Sequence, residues 1–131
     1  MATRRKGKSK SYKADVAKSF EYAALLGLSP TQQAHAVSGE RIRRLSQIPG
    51  LKSRLGRNMS MDQMQRLKNL RYIWNTLRKI YGPYDRMVHL GTPLITFAGD
   101  SLRDVLISGS VSDMNRVVSH TRNLKGLFKT K

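Results

Sequence analysis

Apolar residues recur every three or four positions along most of the chain, which is the spacing that the buried face of an α-helix requires. The clearest run extends from Met61 to Tyr81 and ends at Gly82-Pro83. Ser60 and Gln63 have the spacing of a capping box at its start. The pattern predicts a helix of ~20 residues, about 30 Å long, that can carry the core of both halves of the chain.

Two shorter helices are predicted near the beginning of the chain. The first starts at Ala14, places Val16 and Phe20 on its apolar face and ends near Gly27. The second runs from Pro30 to about Val37, with a capping box formed by the residue before it and Gln32.

A third short helix is predicted from Ser38 to Ile48, because residues 42, 45 and 48 are apolar and Pro49-Gly50 offers a stop. Residues 49–60 contain unopposed cations and read as a basic loop. Three short helices with a tight turn between the second and third are typical of a helix-turn-helix, whose third helix lies in the major groove of DNA.

Short helices separated by glycine turns are predicted after the long helix. Residues 84–90 suit one or two turns, residues 91–100 a loop with apolar plugs, and residues 101–108 a short helix that Asp100 or Ser101 caps and Gly109 closes. Residues 110–124 form the last helix. The expected fold is all-α, with a helix-turn-helix-like three-helix unit joined by a long helix to a small helical C-terminal domain. The expected divisions are a disordered basic arm at 1–13, the helix-turn-helix-like domain at 14–58, the C-terminal domain at 59–125 and a basic tail at 126–131.

The charge distribution separates the two halves further. The chain has 25 Lys and Arg against 8 Asp and Glu, a formal net charge of +17. Residues 1–13 and residues 31–70 each carry +6, whereas residues 91–123 carry none. This asymmetry favours a front half that binds nucleic acid and a neutral rear half with another task.

Cationic groups of the front half are therefore the candidate nucleic-acid-binding residues, and we expect DNA rather than RNA as the ligand. Gln32 and Gln33 are added because an amide at a helix start can buttress a phosphate. A solvated tail and a solvated basic face are the alternative interpretations. The cationic candidates are Arg4, Arg5, Lys6, Lys8, Lys10, Lys13, Arg41, Arg43, Arg44, Lys52, Arg54 and Arg57.

Catalytic chemistry finds no support in the sequence. The chain has no cysteine, which excludes disulfides, thiolate nucleophiles and Cys-based metal sites. His35, His89 and His120 fall on separate elements without a second ligand at metal spacing. No phosphate-cradling glycine motif and no apolar run of the ~20 residues needed to cross a membrane is present. We expect a binding protein rather than an enzyme, without metal, cofactor or membrane partner, in the cytoplasm of a bacterial or phage-infected cell.

The rear half carries a recognisable series of residues. Trp74, followed by a run from Gly91 to Val118 in which Phe97, Gly99, Leu102, Leu106 and Gly109 occur together, resembles the C-terminal toxin-binding domain of the MbcA/ParS/Xre antitoxin family. Gly99-Asp100-Ser101-Leu102 departs from the family pattern because it lacks the helix-starting proline of many members, and the basic arm has no counterpart there.

The resemblance implies an all-α fold, a frequently degenerate helix-turn-helix and RES-domain toxins that attack NAD as partners. The partner-binding residues that it implies are Thr92, Pro93, Phe97, Gly99, Asp100, Arg103 and Gly109.

Three functional hypotheses follow. The first is a DNA-binding transcriptional regulator whose rear half binds a protein partner or a second copy of the chain. An alternative is an antitoxin that directly inhibits a RES-like toxin. A further alternative is a phage or mobile-element protein that associates with nucleic acid while bound to a large host machine.

Overall fold

Every regular element in the part of the chain that this computed structural model describes, residues 11–108 and 110–129, is helical, which confirms the all-α prediction. Two short 3-10 turns, Leu45–Gln47 and Ile95–Phe97, interrupt the connections. The α-helices of these residues are α1 (Lys13–Leu25), α2 (Pro30–Ser38), α3 (Ile48–Arg57), α4 (Met61–Ile80), α5 (Pro83–Gly91), α6 (Leu102–Ile107) and α7 (Val111–Lys129).

Serine capping boxes begin three of these helices, two of them at the predicted serines. The Ser60 hydroxyl accepts a hydrogen bond from the Gln63 backbone N–H at 3.1 Å, and the Gln63 side chain accepts one from the Ser60 N–H at 2.9 Å. Ser29 starts α2 in the same way. Ser101, rather than Asp100, caps α6. Each box satisfies backbone donors that the first turn leaves unpaired.

The third helix does not lie where the sequence pattern placed it, so the prediction of a helix over Ser38–Ile48 and a loop over 49–60 is wrong. Gly39 ends α2 by adopting a left-handed φ of +81°, a conformation that is accessible to glycine without strain. Residues 41–44 are non-helical. Pro49 lies in the first turn of α3, where its missing N–H costs no hydrogen bond; the proline starts a helix instead of ending one.

The burial of leucine side chains explains why the third helix forms later in the sequence than predicted. Leu51 and Leu55 are four residues apart on α3 and both 1% exposed, whereas Leu45, expected to face inward, is 63% exposed. A leucine pair at this spacing puts two large side chains on one helical face. The hydrophobic effect therefore favours a helix that begins at Ile48.

Helix α4 lies at the centre of the packing. Leu70, Ile73 and Leu77 are fully buried along one of its sides, and the helix packs on α1 and α2 as well as on α5 and α7. One cluster of buried apolar side chains joins Leu55 in the front half to Val117 in the rear half. The prediction that this helix carries the core of both halves is confirmed.

A buried arginine fixes the end of α2 against α4. The Arg66 guanidinium donates to an Asp62 carboxylate oxygen at 2.8 Å through Nε and to the Ala36 carbonyl at 3.1 Å through Nη1. A Cβ at Gly39 would lie 2.7 Å from Nη2 of this arginine. Glycine suits this turn both because of its φ and because it leaves room for the guanidinium.

Two histidines connect α5 to α7. His89 Nε2 and His120 Nε2 are 3.3 Å apart, and the ring centroids are 5.4 Å apart with planes 9° from parallel. Since the centroid distance exceeds the nitrogen distance by about two ring radii, the rings lie end to end, with one Nε2 donating and the other accepting. Burial lowers the pKa of both rings, and the charge of His120 lowers that of His89 further.

The position of α3 can be tested with two leucine truncations. Leu55→Ala removes a fully buried side chain and should lower the free energy of unfolding by about 2–5 kcal/mol. Leu45→Ala is the matched control at an exposed site and should change it by less than about 0.5 kcal/mol. Chemical denaturation followed by circular dichroism measures both. Equal losses at the two positions would contradict the observed register.

The histidine pair predicts a stability that depends on pH. Because both folded pKa values lie below the ordinary histidine value of about 6.5, the unfolded chain binds more protons than the native chain as the pH falls past that value. The contribution of the pair is complete above about pH 6.5 and is lost as the pH falls through the folded pKa values.

We expect the thermal midpoint of the wild type to be lower at pH 5.5 than at pH 7.5. The double variant His89→Gln/His120→Gln should show a smaller decrease over the same pH range. Thermal melts at the two pH values measure the difference. An equal fall in both proteins would assign the pH dependence to other groups.

Candidate nucleic-acid interface

A basic groove of about 500 Å³ runs between α4 and α7. We call it the α4–α7 groove. The cations that line it are Lys68, Arg71 and Lys79 from α4, and Arg122 and Lys125 from α7. The rest of its lining consists of Tyr72, Asn69, Asn75, Thr76 and Val118.

Helical periodicity produces this arrangement. Lys68, Arg71, Asn75 and Lys79 follow one another at intervals of three or four residues, so they share one face of α4. The buried leucine and isoleucine side chains occupy another face of the same helix. The packing that buries the apolar stripe thereby turns the basic stripe toward α7.

The groove cations have no carboxylate partners within the described residues. No aspartate or glutamate lines the groove, and the ion pairs of residues 11–108 and 110–127 join Arg54 to Glu40, Arg66 to Asp62 and Arg116 to Asp113. Like charges gathered in one groove attract anions, so the groove is a candidate surface for an anionic ligand.

Aromatic and amide groups form the floor of the groove. Tyr72 is half-buried, with the Arg122 guanidinium 5.7 Å from its ring centroid, within the range of a cation–π contact. The Asn69 amide is fixed by hydrogen bonds of 3.0 Å to Gln65 and to Asn115 of α7. By contrast, the Asn75 amide makes no hydrogen bond to the rest of the described chain.

The structure places the predicted arginines of the front half on two separate elements. Arg41, Arg43 and Arg44 lie exposed in the non-helical connection before α3, not on a helix that could enter a DNA groove. This corrects the expectation of a recognition helix with three arginines in its first turns.

The remaining predicted cations begin α1 or lie on α3. Arg54 forms a two-pronged pair with Glu40 at 2.7 and 3.1 Å, which lowers the pKa of that carboxyl. Arg57 donates to the Ser53 hydroxyl at 3.4 Å. Lys52 lies 4.6 Å above the ring of Phe20, and Lys13 lines the same α1–α3 surface. The charge of Arg54 is thus balanced within the protein.

Both predicted glutamines make hydrogen bonds within the chain. Gln32 accepts from the Ser29 N–H at 2.9 Å as part of the capping box, and Gln33 donates to the Leu28 carbonyl at 2.8 Å. The Gln32 bond uses only the amide oxygen and leaves its NH2 group as a donor, whereas the Gln33 NH2 group already donates to the backbone. The predicted arm residues Arg4, Arg5, Lys6, Lys8 and Lys10 lie outside the described residues.

The residues assigned to a protein partner have varied environments. Phe97 is 2% exposed and packs edge-on against His120 at a centroid distance of 5.4 Å; its ring belongs to the core, so the expectation that it forms part of a docking surface is wrong. Pro93, Asp100 and Thr92 are exposed, and the Thr92 hydroxyl donates to the Val88 carbonyl.

Two more of these residues, Gly99 and Arg103, have structural roles at turns. Gly99 has a φ of +96° in the turn before α6, which explains a glycine there without any ligand. Arg103 is half-buried, and a Cβ at Gly27 would lie 2.8 Å from its Nε, so this arginine packs beneath the turn after α1. Gly109 lies outside the described residues.

The apolar stripe of α4 does not by itself reveal the five groove cations, which the sequence analysis did not predict. The signal that could have found three of them is the basic stripe at 68, 71 and 79 on the same helix. Pairing that stripe with Arg122 and Lys125 requires the packing of α7, which periodicity does not give.

Other classes of site receive no support from the described residues. Within them, no three His, Asp or Glu side chains are grouped so that they could hold a metal ion. None of the helices in this part of the chain combines the length and the apolar character that a membrane span requires.

Comparison with known proteins adds no constraint: no protein-family model, curated protein or solved structure matches the chain.

Proposed function

We propose that the protein binds nucleic acid through its phosphate backbone, with the α4–α7 groove as the principal contact surface. The observation that carries this proposal is the convergence of five cations, without a carboxylate, in one groove between two helices. Lysine and arginine that neutralise phosphates release counterions, and this release supplies most of the affinity of sequence-independent binding.

The resemblance to the antitoxin family motivates a finer proposal. In it the nucleic acid is the DNA of a promoter, and the rear helices bind a protein partner such as a RES-like toxin. The exposed arginines of the connection before α3 support contact with a second stretch of backbone. A role as a mobile-element protein that associates with RNA makes the same use of the groove.

Salt dependence gives the first test. If the five groove cations each neutralise one phosphate of a duplex, the logarithm of the binding constant should fall with the logarithm of salt concentration at a slope of about −4 to −5. The triple variant Lys68→Gln/Arg71→Gln/Lys79→Gln should weaken binding and reduce the size of the slope by about 2–3. Fluorescence anisotropy with a labelled oligonucleotide measures both quantities.

The matched control removes the same charge from the connection before α3. Arg41→Gln/Arg43→Gln/Arg44→Gln also deletes three exposed cations, and it should affect the slope less than the groove variant. Equal effects would mean that net charge alone attracts the nucleic acid, and a salt-independent affinity would exclude backbone binding altogether.

A second candidate function is self-association through the exposed side of α5. Tyr84 is 78% exposed and Met87 56% exposed, and Val88 adjoins them on the same helix. Residues 83–91 carry one acidic and one basic residue, so that repulsion between two copies through this helix is small.

Met87→Glu places a charge in this apolar surface and should shift the protein toward monomer. Met61→Glu, at a methionine that is 90% exposed on α4, is the control and should leave the oligomeric state unchanged. Sedimentation velocity over a concentration series measures the shift. A wild type that stays monomeric at every concentration would refute self-association.

A further inference from the structure

We infer that the α4–α7 groove selects single-stranded over duplex nucleic acid, with a base stacked on Tyr72. The inference rests on the proposed function, because it names the form of nucleic acid that the same groove accepts. Three observations carry it: the width that helix packing allows, the groups on the groove floor and the distribution of cations on its two walls.

Helix packing keeps the groove narrow. The side-chain amides of Asn69 on α4 and Asn115 on α7 are joined by a hydrogen bond of 3.0 Å, so the two helices are in direct contact beneath the groove. Axes of packed helices are about 8–10 Å apart, so the groove is open only above this contact; it cannot enclose a duplex, whose major groove is itself wide enough to admit a whole α-helix. A duplex can therefore rest only on the rims, while a single strand can enter.

The floor offers groups that a duplex would leave unused. Tyr72 lines the groove, and the Arg122 guanidinium lies over its ring, 5.7 Å from the centroid, so a base that stacks on this face takes the place of the guanidinium. Aromatic rings of this kind stack on unpaired bases with little regard to sequence. The Asn75 amide, which makes no hydrogen bond within the described residues, can donate to and accept from a base edge. In a duplex the paired and stacked bases cannot reach these groups.

The cations line both sides of the path that a strand would take. Lys68 and Lys79 are eleven positions apart on α4, which corresponds to about 16 Å along the helix. Arg122 and Lys125 face them from α7. At about 3.4 Å per nucleotide for a stacked strand, this length holds roughly five nucleotides. Lysine and arginine on opposite walls can then follow the phosphates of one strand while its bases face the floor.

The experiment compares a fluorescein-labelled 12-nucleotide DNA strand with the 12-base-pair duplex of the same sequence, using the full chain and fluorescence anisotropy at low salt. The duplex carries nearly twice the phosphates, so electrostatic attraction alone favours the duplex. We expect the single strand to bind about tenfold more tightly, because only it reaches the floor. Equal or tighter binding of the duplex overturns the inference and leaves the proposed function intact. Failure of both to bind overturns the proposed function itself.

Tyrosine variants test the stacking contact. Tyr72→Leu should reduce affinity for the single strand about tenfold and leave affinity for the duplex unchanged. Tyr72→Phe retains the ring and should restore single-strand binding. Thermal melts confirm that each variant is folded, and the comparison of single strand with duplex on the wild type holds even where Tyr72→Leu does not fold. Equal single-strand affinity for the leucine and phenylalanine variants would overturn the role of Tyr72.

Discussion

The burial of one face of α4 is the constraint on which the rest of the structure depends. Leu70, Ile73 and Leu77 pack against helices from both ends of the chain, so this single helix fixes where the front and rear helices lie. A helix that repeats every 3.6 residues cannot orient one stripe without orienting all the others. Burial of the apolar stripe therefore also determines which residues face α7, and the α4–α7 groove is a consequence of core packing rather than an addition to it.

The small number of acidic residues explains why the groove stays unneutralised. Of the 8 carboxylates in the sequence, several have structural tasks: Asp62 holds the buried Arg66, Asp104 completes the capping box of α6, and Asp113 accepts hydrogen bonds from Ser108 and Arg116. Glu40 is paired with Arg54. Carboxylates committed to turns and helix starts are not available to the groove. A bound polyanion would supply the missing charge and stabilise the native state by mass action.

Local signals predicted part of the fold and distant packing decided the rest. The capping boxes at Ser29 and Ser60 depend on residues three positions apart, and twenty residues of regular apolar spacing leave α4 few alternatives. The third helix was misplaced because Ile42, Leu45 and Ile48 form one weak pattern and Ile48, Leu51 and Leu55 form another. Pro49 suits the end of the first or the start of the second, and only burial against α1 and α2 separates them. Predicting the groove would have required knowledge of contacts between residues far apart in the sequence, such as Asn69 and Asn115, which are 46 positions apart.

The neutrality of residues 91–123 does not separate them from the basic surface. Their carboxylates lie at helix starts, with Asp104 in the first turn of α6 and Asp113 in the first turn of α7, where the helix dipole favours negative charge. Two of the three bases in this segment lie beside these carboxylates: Arg103 adjoins Asp104 in the sequence, and Arg116 is paired with Asp113 at 3.1 Å. Arg122 lies farther along α7 and lines the α4–α7 groove together with Lys125, which follows the neutral segment. A segment without net charge can thus contribute a cation to the groove, because charge summed along the sequence averages over groups that the fold keeps apart.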